Sequence, residues 1–501
     1  MNMDAIEKAI AAKLQELHIP GGSAVIVKDD QVVFRKAFGL RDVERHLPVT
    51  LYTLFPICSC TKSFTAMAAA MSQDAGTLAL DDSPRRYLPY FQLHDPEANA
   101  QTTIRDLLCH RTGLMGMDVP VVADSNHVLS REDLLHAAGS AKPTARFREK
   151  FQYSNVLFAA AGDAVANADH QPWEQVMSER IFKPLVMTSS LTSKQAMEQF
   201  GNYTQGYEYD DATGQHQKRQ FPDWIPLVAP GGAIMSNIRD MTQWLRLMLG
   251  GGVFEGKRLV SEKGFQELIT PHLLQSNRAD EKYAICLGWY TVDWNGFRVV
   301  QANGSTAGFF ASISFMPDER IGMVILSQLG TGQCDPVFFW PLILGKPEPP
   351  AASETTSGAP VSASPPLGEA GYRGPLSADA LIARMIAALG GESNLRKHTS
   401  MVVRFRRVYE NLGMVSEETL LTVRLMDKST RSKRPSEMDW ANRASRSKRY
   451  SSTCLLLKMR FNHGTEGANA GCARNRFCLP IPPRKCKKGR DANAENPQIG
   501  G

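Results

Sequence analysis

The chain has 501 residues, 43% of them hydrophobic, which is enough for at least one large core and, by length, for two or three domains. Its formal charge of +6 is unevenly placed: residues 428–501 carry 17 Lys and Arg against 5 Asp and Glu, so the body of the chain is mildly acidic. No run of 18 apolar residues offers a membrane span, and nine cysteines at irregular spacing, none in a C-x-x-C pair, argue against a disulfide framework and a zinc site.

Residues 4–17 carry Ile6, Ile10, Leu14 and Leu17 at helical spacing and predict an amphipathic helix. The start lacks the basic and apolar regions of a signal peptide. As written, that predicts a soluble cytoplasmic protein, or a periplasmic or secreted one if the N-terminus is truncated. Ser23–Lys28 and Val32–Phe38 read as strands joined across Asp29-Asp30-Gln31 as a hairpin. A helix then runs from Ser59 to about Gly76. Further helices are expected at 102–109, 131–138, 155–167 and 172–182, then a polar loop at about 200–222 and a helix over 238–249. Leu287–Val292 and Phe297–Gln301 flank Asn295-Gly296, a strong hairpin signal, and Ser312–Met316 pairs with Gly322–Ser327. Strands at both ends with helices between predict an α+β domain over residues 1–345: one antiparallel sheet flanked by helices, with an inserted helical region.

Residues 346–375 form a Pro/Ala/Ser-rich linker, and 376–427 read as an incomplete small α+β segment. Its helix is expected at Ser377–Leu389 and its strands at Met401–Val408 and Glu418–Leu425. Residues 428–501 are basic and lack apolar alternation, which predicts a disordered tail rather than a nucleic-acid or membrane arm. The abrupt shift inside a half-built domain is what a lost reading frame would leave.

The chemistry centres on Ser59-Cys-Thr-Lys62. Residues i and i+3 share a helix face, so the Lys62 amine can lie beside the Ser59 hydroxyl. A serine becomes a nucleophile only when a nearby base takes its proton. Tyr153-Ser154-Asn155, just before a helical run, offers a phenol as that base and an amide to bridge Lys62 and substrate. Gln301-Ala-Asn-Gly-Ser-Thr-Ala-Gly-Phe309 supplies a strand with small residues against which a substrate can lie. A backbone N–H near Ser305 can join that of Ser59 as an oxyanion hole.

Ser59-x-x-Lys62, Tyr153-Ser-Asn155 and the 301–309 strand resemble the three motifs of the serine β-lactamase and penicillin-recognising superfamily. Their order and separation are similar to the class C branch with its D-aminopeptidases and family VIII carboxylesterases. Leu107-Leu-Cys-His-Arg-Thr-Gly-Leu114 and Gly231-Gly-Ala-Ile-Met-Ser236 match that group as well. The resemblance implies a class C β-lactamase-like fold with Ser59, Lys62 and Tyr153 catalytic. It further implies Asn155, Asn303, Gly304 and Ser305 at the substrate; with no His-x-x-x-His or Cys/His cluster in the sequence, no metal or cofactor is expected.

One position departs from the pattern. Relatives open the third motif with Lys, His or Trp, where this chain has Ala302. An alanine cannot hold a carboxylate by charge-assisted hydrogen bonds. That shifts the expected substrate toward small uncharged carboxylic esters, with a β-lactam or D-amino-acid peptide as the alternative and a non-catalytic penicillin-binding module as a second. Lys218 or Arg219 could restore the charge, and His110 is expected to hold a loop rather than to transfer protons.

Overall fold

A computed structural model describes residues 1–116, 130–211, 213–278, 281–345 and the segments 400–409, 414–424, 454–462 and 476–479. The chain divides into two compact units, Met1–Ser357 and Gly358–Gly501.

The first unit begins with α1 (Met3–Glu16), capped by the Asn2 side chain, and continues into β1 (Gly21–Lys28), β2 (Gln31–Asp42) and the short β3 (Leu47–Pro48). Asp29 and Asp30 adopt φ of 50° and 63°, the left-handed pair that a two-residue hairpin requires. The sheet resumes far along the chain with β4 (Leu273–Arg278), β5 (Glu281–Ile285), β6 (Tyr290–Trp294) and β7 (Phe297–Thr306). It ends with β8 (Phe309–Met316) and β9 (Ile321–Gln328). The nine strands lie in the order β4-β5-β6-β7-β8-β9-β1-β2-β3, so β1 pairs antiparallel with β9 and joins the two ends of the domain. This is the expected antiparallel sheet with a helical region inserted between its halves.

Side chains alternate across the sheet and make two cores. Ala24 and Ile26 pack with Ile6 and Ile10 of α1 and with Trp340, while Val25 and Val27 face the opposite core. That second core holds α2 (Thr61–Asp74), α3 (Asn155–Ala168) and α4 (Ile238–Leu249). Ala66, Ala68, Ala69 and Ala70 of α2 are all fully buried, as expected of a helix enclosed on every side. Phe64 stacks on Trp244 of α4 at 3.7 Å between ring centres.

Four local readings need correction. The polar stretch at 200–222 holds a hairpin, Gly206–Asp210 with Gln215–Arg219. Its residues are mostly polar and only Gly206 and Tyr207 are buried, so no apolar alternation marks it. Strands β4 and β5 were likewise unmarked in the sequence, with Leu-Leu-Gln-Ser-Asn-Arg and Glu-Lys-Tyr-Ala-Ile lacking a two-residue period. The strand predicted from Leu287 starts at Tyr290, because Gly288 takes φ 69° in a turn closed by the Cys286 N–H on Trp289 O. The 172–182 helix is α-helical only to Val176, then widens to a π-turn over Met177–Phe182.

In the second unit, Ser400–Tyr409 pairs antiparallel with Met414–Arg424, close to the strands expected there. Cys454–Asn462 adds to the other side of the first strand and Arg476–Leu479 follows. Both of these lie in the stretch whose composition predicted a disordered tail. The predicted helix at 377–389 and the linker before it fall outside the described residues.

Candidate active site

Segment 55–60 is positioned by pairing and by one strained residue. Phe55 and Pro56 pair with Ser236 and Met235, and the Ile57 N–H donates to Ile234 O at 3.0 Å. Cys58 then turns left-handed, with φ 50°, into the short turn Cys58–Cys60 that opens α2. Ser59 therefore stands at the mouth of a buried helix, and Lys62 lies one turn in, only 3% exposed.

The Lys62 ammonium points at three acceptors: Gly231 O at 2.7 Å, Asn155 Oδ1 at 2.8 Å and Ser59 Oγ at 3.3 Å. An ammonium has three N–H donors and no acceptor, so this surrounding suits the charged form. Ser59 Oγ lies 2.7 Å from Tyr153 OH, a contact in which either oxygen can hold the proton. Lys62 Nζ also stands 4.8 Å from the centre of the Tyr153 ring, within cation–π range. Ser154 caps α3, its Oγ accepting the Leu157 N–H at 3.3 Å, which sets Tyr153 just outside the helix and Asn155 on its first turn. Five residues from three separate stretches of the chain thus share one hydrogen-bonded cluster.

His110 braces that cluster. Its carbonyl accepts the Gln152 N–H at 2.7 Å and its Nδ1 accepts the Ser154 N–H at 3.2 Å, so the two bonds flank Tyr153. The imidazole lies 4.5 Å from the Tyr153 ring and packs on Phe151 and Phe158. This agrees with a loop-holding role. Burial, reinforced by the Lys62 charge, pushes its pKa well below the usual histidine value. Folded His110 thus stays neutral while the unfolded side chain protonates below about pH 6.5. Stability should then fall as pH drops through that value, by up to about 1.4 kcal/mol per unit from this group. His110→Asn keeps an acceptor in the Nδ1 position and tolerates the left-handed φ of 55°. Thermal unfolding between pH 5 and 8 should show a shallower acid loss in this variant than in the parent, and parallel curves would refute a neutral buried His110.

Strand β7 lies directly on the Ser59 turn. A Cβ at Gly304 would stand 2.6 Å from Ser59 N and 2.3 Å from Ile57 O, so only glycine permits this approach. The Cys60 thiol donates to Ala302 O at 3.2 Å and ties the turn to the same strand. Strand β7 sits between β6 and β8 and is not an edge. Ser305 is exposed beyond Gly304. Asn303 does not turn its amide to Ser59: Nδ2 donates to Asp335 at 3.1 Å and Oδ1 accepts from Ser312 at 2.8 Å. Its amide is thus engaged by Asp335 and Ser312, while the residue still lines the pocket beside Ser59 and Lys62.

A small pocket opens beside Ser59 and Lys62, lined also by Leu108, Trp289, Tyr290, Ala302 and Asn303. Burial pushes the Tyr290 phenol up, so it faces the cavity uncharged. Lys218 pairs with Glu44 at 3.5 Å and Arg219 with Glu208 at 2.7 Å, so carboxylates already hold both cations suggested as substitutes for the missing lysine. Gly231 O and Tyr290 were not singled out from sequence as site groups. Gly231 lay inside a matched motif, but nothing in its spacing said that its carbonyl meets Lys62. Among the described residues no group of three His, Cys, Asp or Glu is placed to hold a metal, and no helix is long and apolar enough to cross a membrane.

A family model described as Beta-lactamase matches residues 6–337. Protein flp of Staphylococcus aureus (strain N315) is 27% identical over 326 residues, covering 65% of this chain and 63% of that protein. The unguisins hydrolase ungD' of Aspergillus campestris is 26% identical over 342 residues, covering 65% and 61% respectively. The chain therefore spans a little under two thirds of the length of these relatives. Among solved structures, the octameric penicillin-binding protein homologue from Pyrococcus abyssi has a TM-score of 0.62 at 20% identity, covering 96% of this chain and 97% of that one, a likeness of fold. With the Ser59, Lys62 and Tyr153 cluster set between α2, α3 and the sheet of that fold, the chain belongs to the Beta-lactamase family over residues 6–337.

Proposed function

We propose that residues 1–345 form a serine hydrolase that works through an acyl-enzyme on small, uncharged carboxylic esters. The observation that carries this is the continuous contact from Ser59 Oγ to Tyr153 OH at 2.7 Å, with the Lys62 ammonium touching the same oxygen. Tyr153 as phenolate takes the Ser59 proton while Ser59 Oγ bonds to the ester carbonyl carbon. The carbonyl oxygen becomes an oxyanion between the backbone N–H groups of Ser59 and Ser305, each such donor worth about 3–4 kcal/mol in the transition state. Collapse breaks the bond to the alkoxide, which leaves with the proton from Tyr153. Water then attacks the acyl-enzyme while Tyr153 takes its proton, and Tyr153 returns that proton to Ser59 Oγ as the acyl bond breaks and the carboxylic acid departs. Lys62 stays charged and stabilises negative charge on whichever oxygen bears it, and Asn155 orients Lys62 and the acyl group.

The choice of neutral esters over β-lactams or D-amino-acid peptides rests on Ala302. Its methyl and the apolar Leu108 and Trp289 line the cavity, and Lys218 and Arg219 are engaged elsewhere. A fluorophosphonate probe should label the wild type and leave Ser59→Ala unlabelled; a wild type that resists the probe removes the enzyme reading in favour of a non-catalytic penicillin-binding module. Short-chain p-nitrophenyl esters should be turned over at least tenfold more efficiently than nitrocefin. Nitrocefin turnover without ester turnover would overturn the substrate choice.

A further inference from the structure

Two hydrogen-bonding atoms beside the nucleophile are left unpaired by the fold. The first is Nε2 of His110. The other ring nitrogen, Nδ1, accepts the Ser154 N–H at 3.2 Å, so it carries no proton and the ring proton sits on Nε2. The side chain is only 5% exposed, and among the described residues nothing accepts that Nε2–H. A buried donor without an acceptor is costly, which makes it a pointer to whatever else enters the site.

The second is the hydroxyl of Tyr290. This residue opens β6 opposite Gln301, after which β7 runs on to Ala302. Its ring is held by Phe151, edge-on at 6.2 Å, and by Tyr283 at 5.3 Å. Cys60 of the nucleophile turn is close enough to act on the phenol, yet among the described residues no group hydrogen-bonds the hydroxyl. A neutral phenol both donates and accepts.

His110 and Tyr290 line the same small pocket as Ser59 and Lys62, and Leu108 and Ala302 give it apolar walls. Three kinds of group could enter. A carboxylate would lose its water among those walls, and Lys62, the cation at the edge, is already directed at Gly231 O, Asn155 Oδ1 and Ser59 Oγ. An alkyl group would leave both polar atoms unpaired. A hydroxyl satisfies both, its oxygen accepting from His110 Nε2–H and its proton going to Tyr290 Oη.

We propose that His110 and Tyr290 form a subsite for an uncharged hydroxyl of the substrate. Because Ser59 lines the same pocket, that hydroxyl lies within a few bonds of the carbonyl carbon, on the acyl or the alcohol side of the ester. This rests on the ester-hydrolase reading above and narrows it from small neutral esters to hydroxy esters.

The test uses two pairs of esters in which one hydroxyl is exchanged for a methyl of similar size: ethyl lactate with ethyl isobutyrate, and 2-hydroxyethyl butyrate with propyl butyrate. In one of the pairs wild type should prefer the hydroxy ester by at least about 30-fold in kcat/KM, because a site built to hydrogen-bond a hydroxyl rejects the analogue that leaves its own groups unpaired. The pair that discriminates tells the acyl side from the alcohol side. Tyr290→Phe keeps the ring against Phe151 and Tyr283 and removes only the hydroxyl, so it should cut the preference at least about fivefold. His110→Asn, which lacks Nε2, should cut it as well. The ratio within a pair is the readout, since a mere loss of packing lowers both esters together. Equal kcat/KM within both pairs on wild type, or a preference that either variant keeps undiminished, would overturn the subsite while turnover of the esters still upheld the hydrolase reading. A wild type that turns over none of the four loses the hydrolase reading instead. Binding of each hydroxy ester against its methyl counterpart, followed by ligand-observed NMR, then decides the subsite, and equal binding in both pairs overturns it.

Discussion

Lys62→Met will lower kcat/KM for a short-chain ester by about 10²–10⁴-fold, the range expected when a proton-transfer system loses one of its members. Methionine matches the length of the lysine stem and leaves no uncompensated charge in a site that is 3% exposed. What it removes is specific. Ser59 Oγ loses the cation 3.3 Å away, and Tyr153 loses the positive charge above its ring. Gly231 O and Asn155 Oδ1 each lose a donor, at a cost of about 1–3 kcal/mol for each group left unsatisfied. Asn155 would then be freer to rotate, so the fluorophosphonate labelling rate of Ser59 should fall with turnover. Lys62→Arg should not rescue. A Cβ placed at Gly231 would stand only 3.2 Å from Nζ, which leaves little room for a planar guanidinium. Turnover by Lys62→Met within tenfold of wild type, measured on folded protein, would remove the Lys62 charge from the catalytic machinery.

The parts of this architecture that are local in sequence were readable, and those set by long-range packing were not. Ser59 and Lys62 share a helix face by their spacing alone, and Asp29-Asp30 and Asn295-Gly296 carry their turns in their own residue types. Their partners are different in kind. The phenol of Tyr153 reaches Ser59 across 94 positions of sequence, and the carbonyl of Gly231 reaches Lys62 across 169, through segments whose periodicity says nothing about each other. Motif order substituted for that missing geometry, because a resemblance carries distances that a single chain's pattern does not. Asn303 stands in a motif position that suggests substrate, yet its amide is taken by Asp335, a residue with no motif around it. The hairpin at 206–219 failed for a simpler reason. A ribbon that buries a single large side chain, Tyr207, has no apolar face to impress a two-residue period on its sequence.

Gly304→Ala tests the closeness of β7 to the nucleophile most directly. A methyl at this position would stand 2.3 Å from Ile57 O, 2.6 Å from Ser59 N and 2.9 Å from Cys60 N, all of them backbone atoms that cannot swing aside. The strand and the turn must therefore separate, stretching the Cys60 thiol bond to Ala302 O from its present 3.2 Å. Overpacking of this kind costs about 1–3 kcal/mol of stability. The catalytic loss should be larger than the structural one, because an oxyanion gains from both N–H groups only when they converge on one point. Losing most of one such donor corresponds to about 10²–10³-fold in kcat. KM should change little, since the ground-state carbonyl depends less on that convergence. Gly232→Ala is the fitting control: its added methyl meets only Ile225 Cδ1, at 3.7 Å, an ordinary contact. Turnover of Gly232→Ala should remain within threefold of wild type. If Gly304→Ala matched the control in kcat, β7 could not be the wall against which the oxyanion forms, and the second donor would have to be sought elsewhere in the cavity.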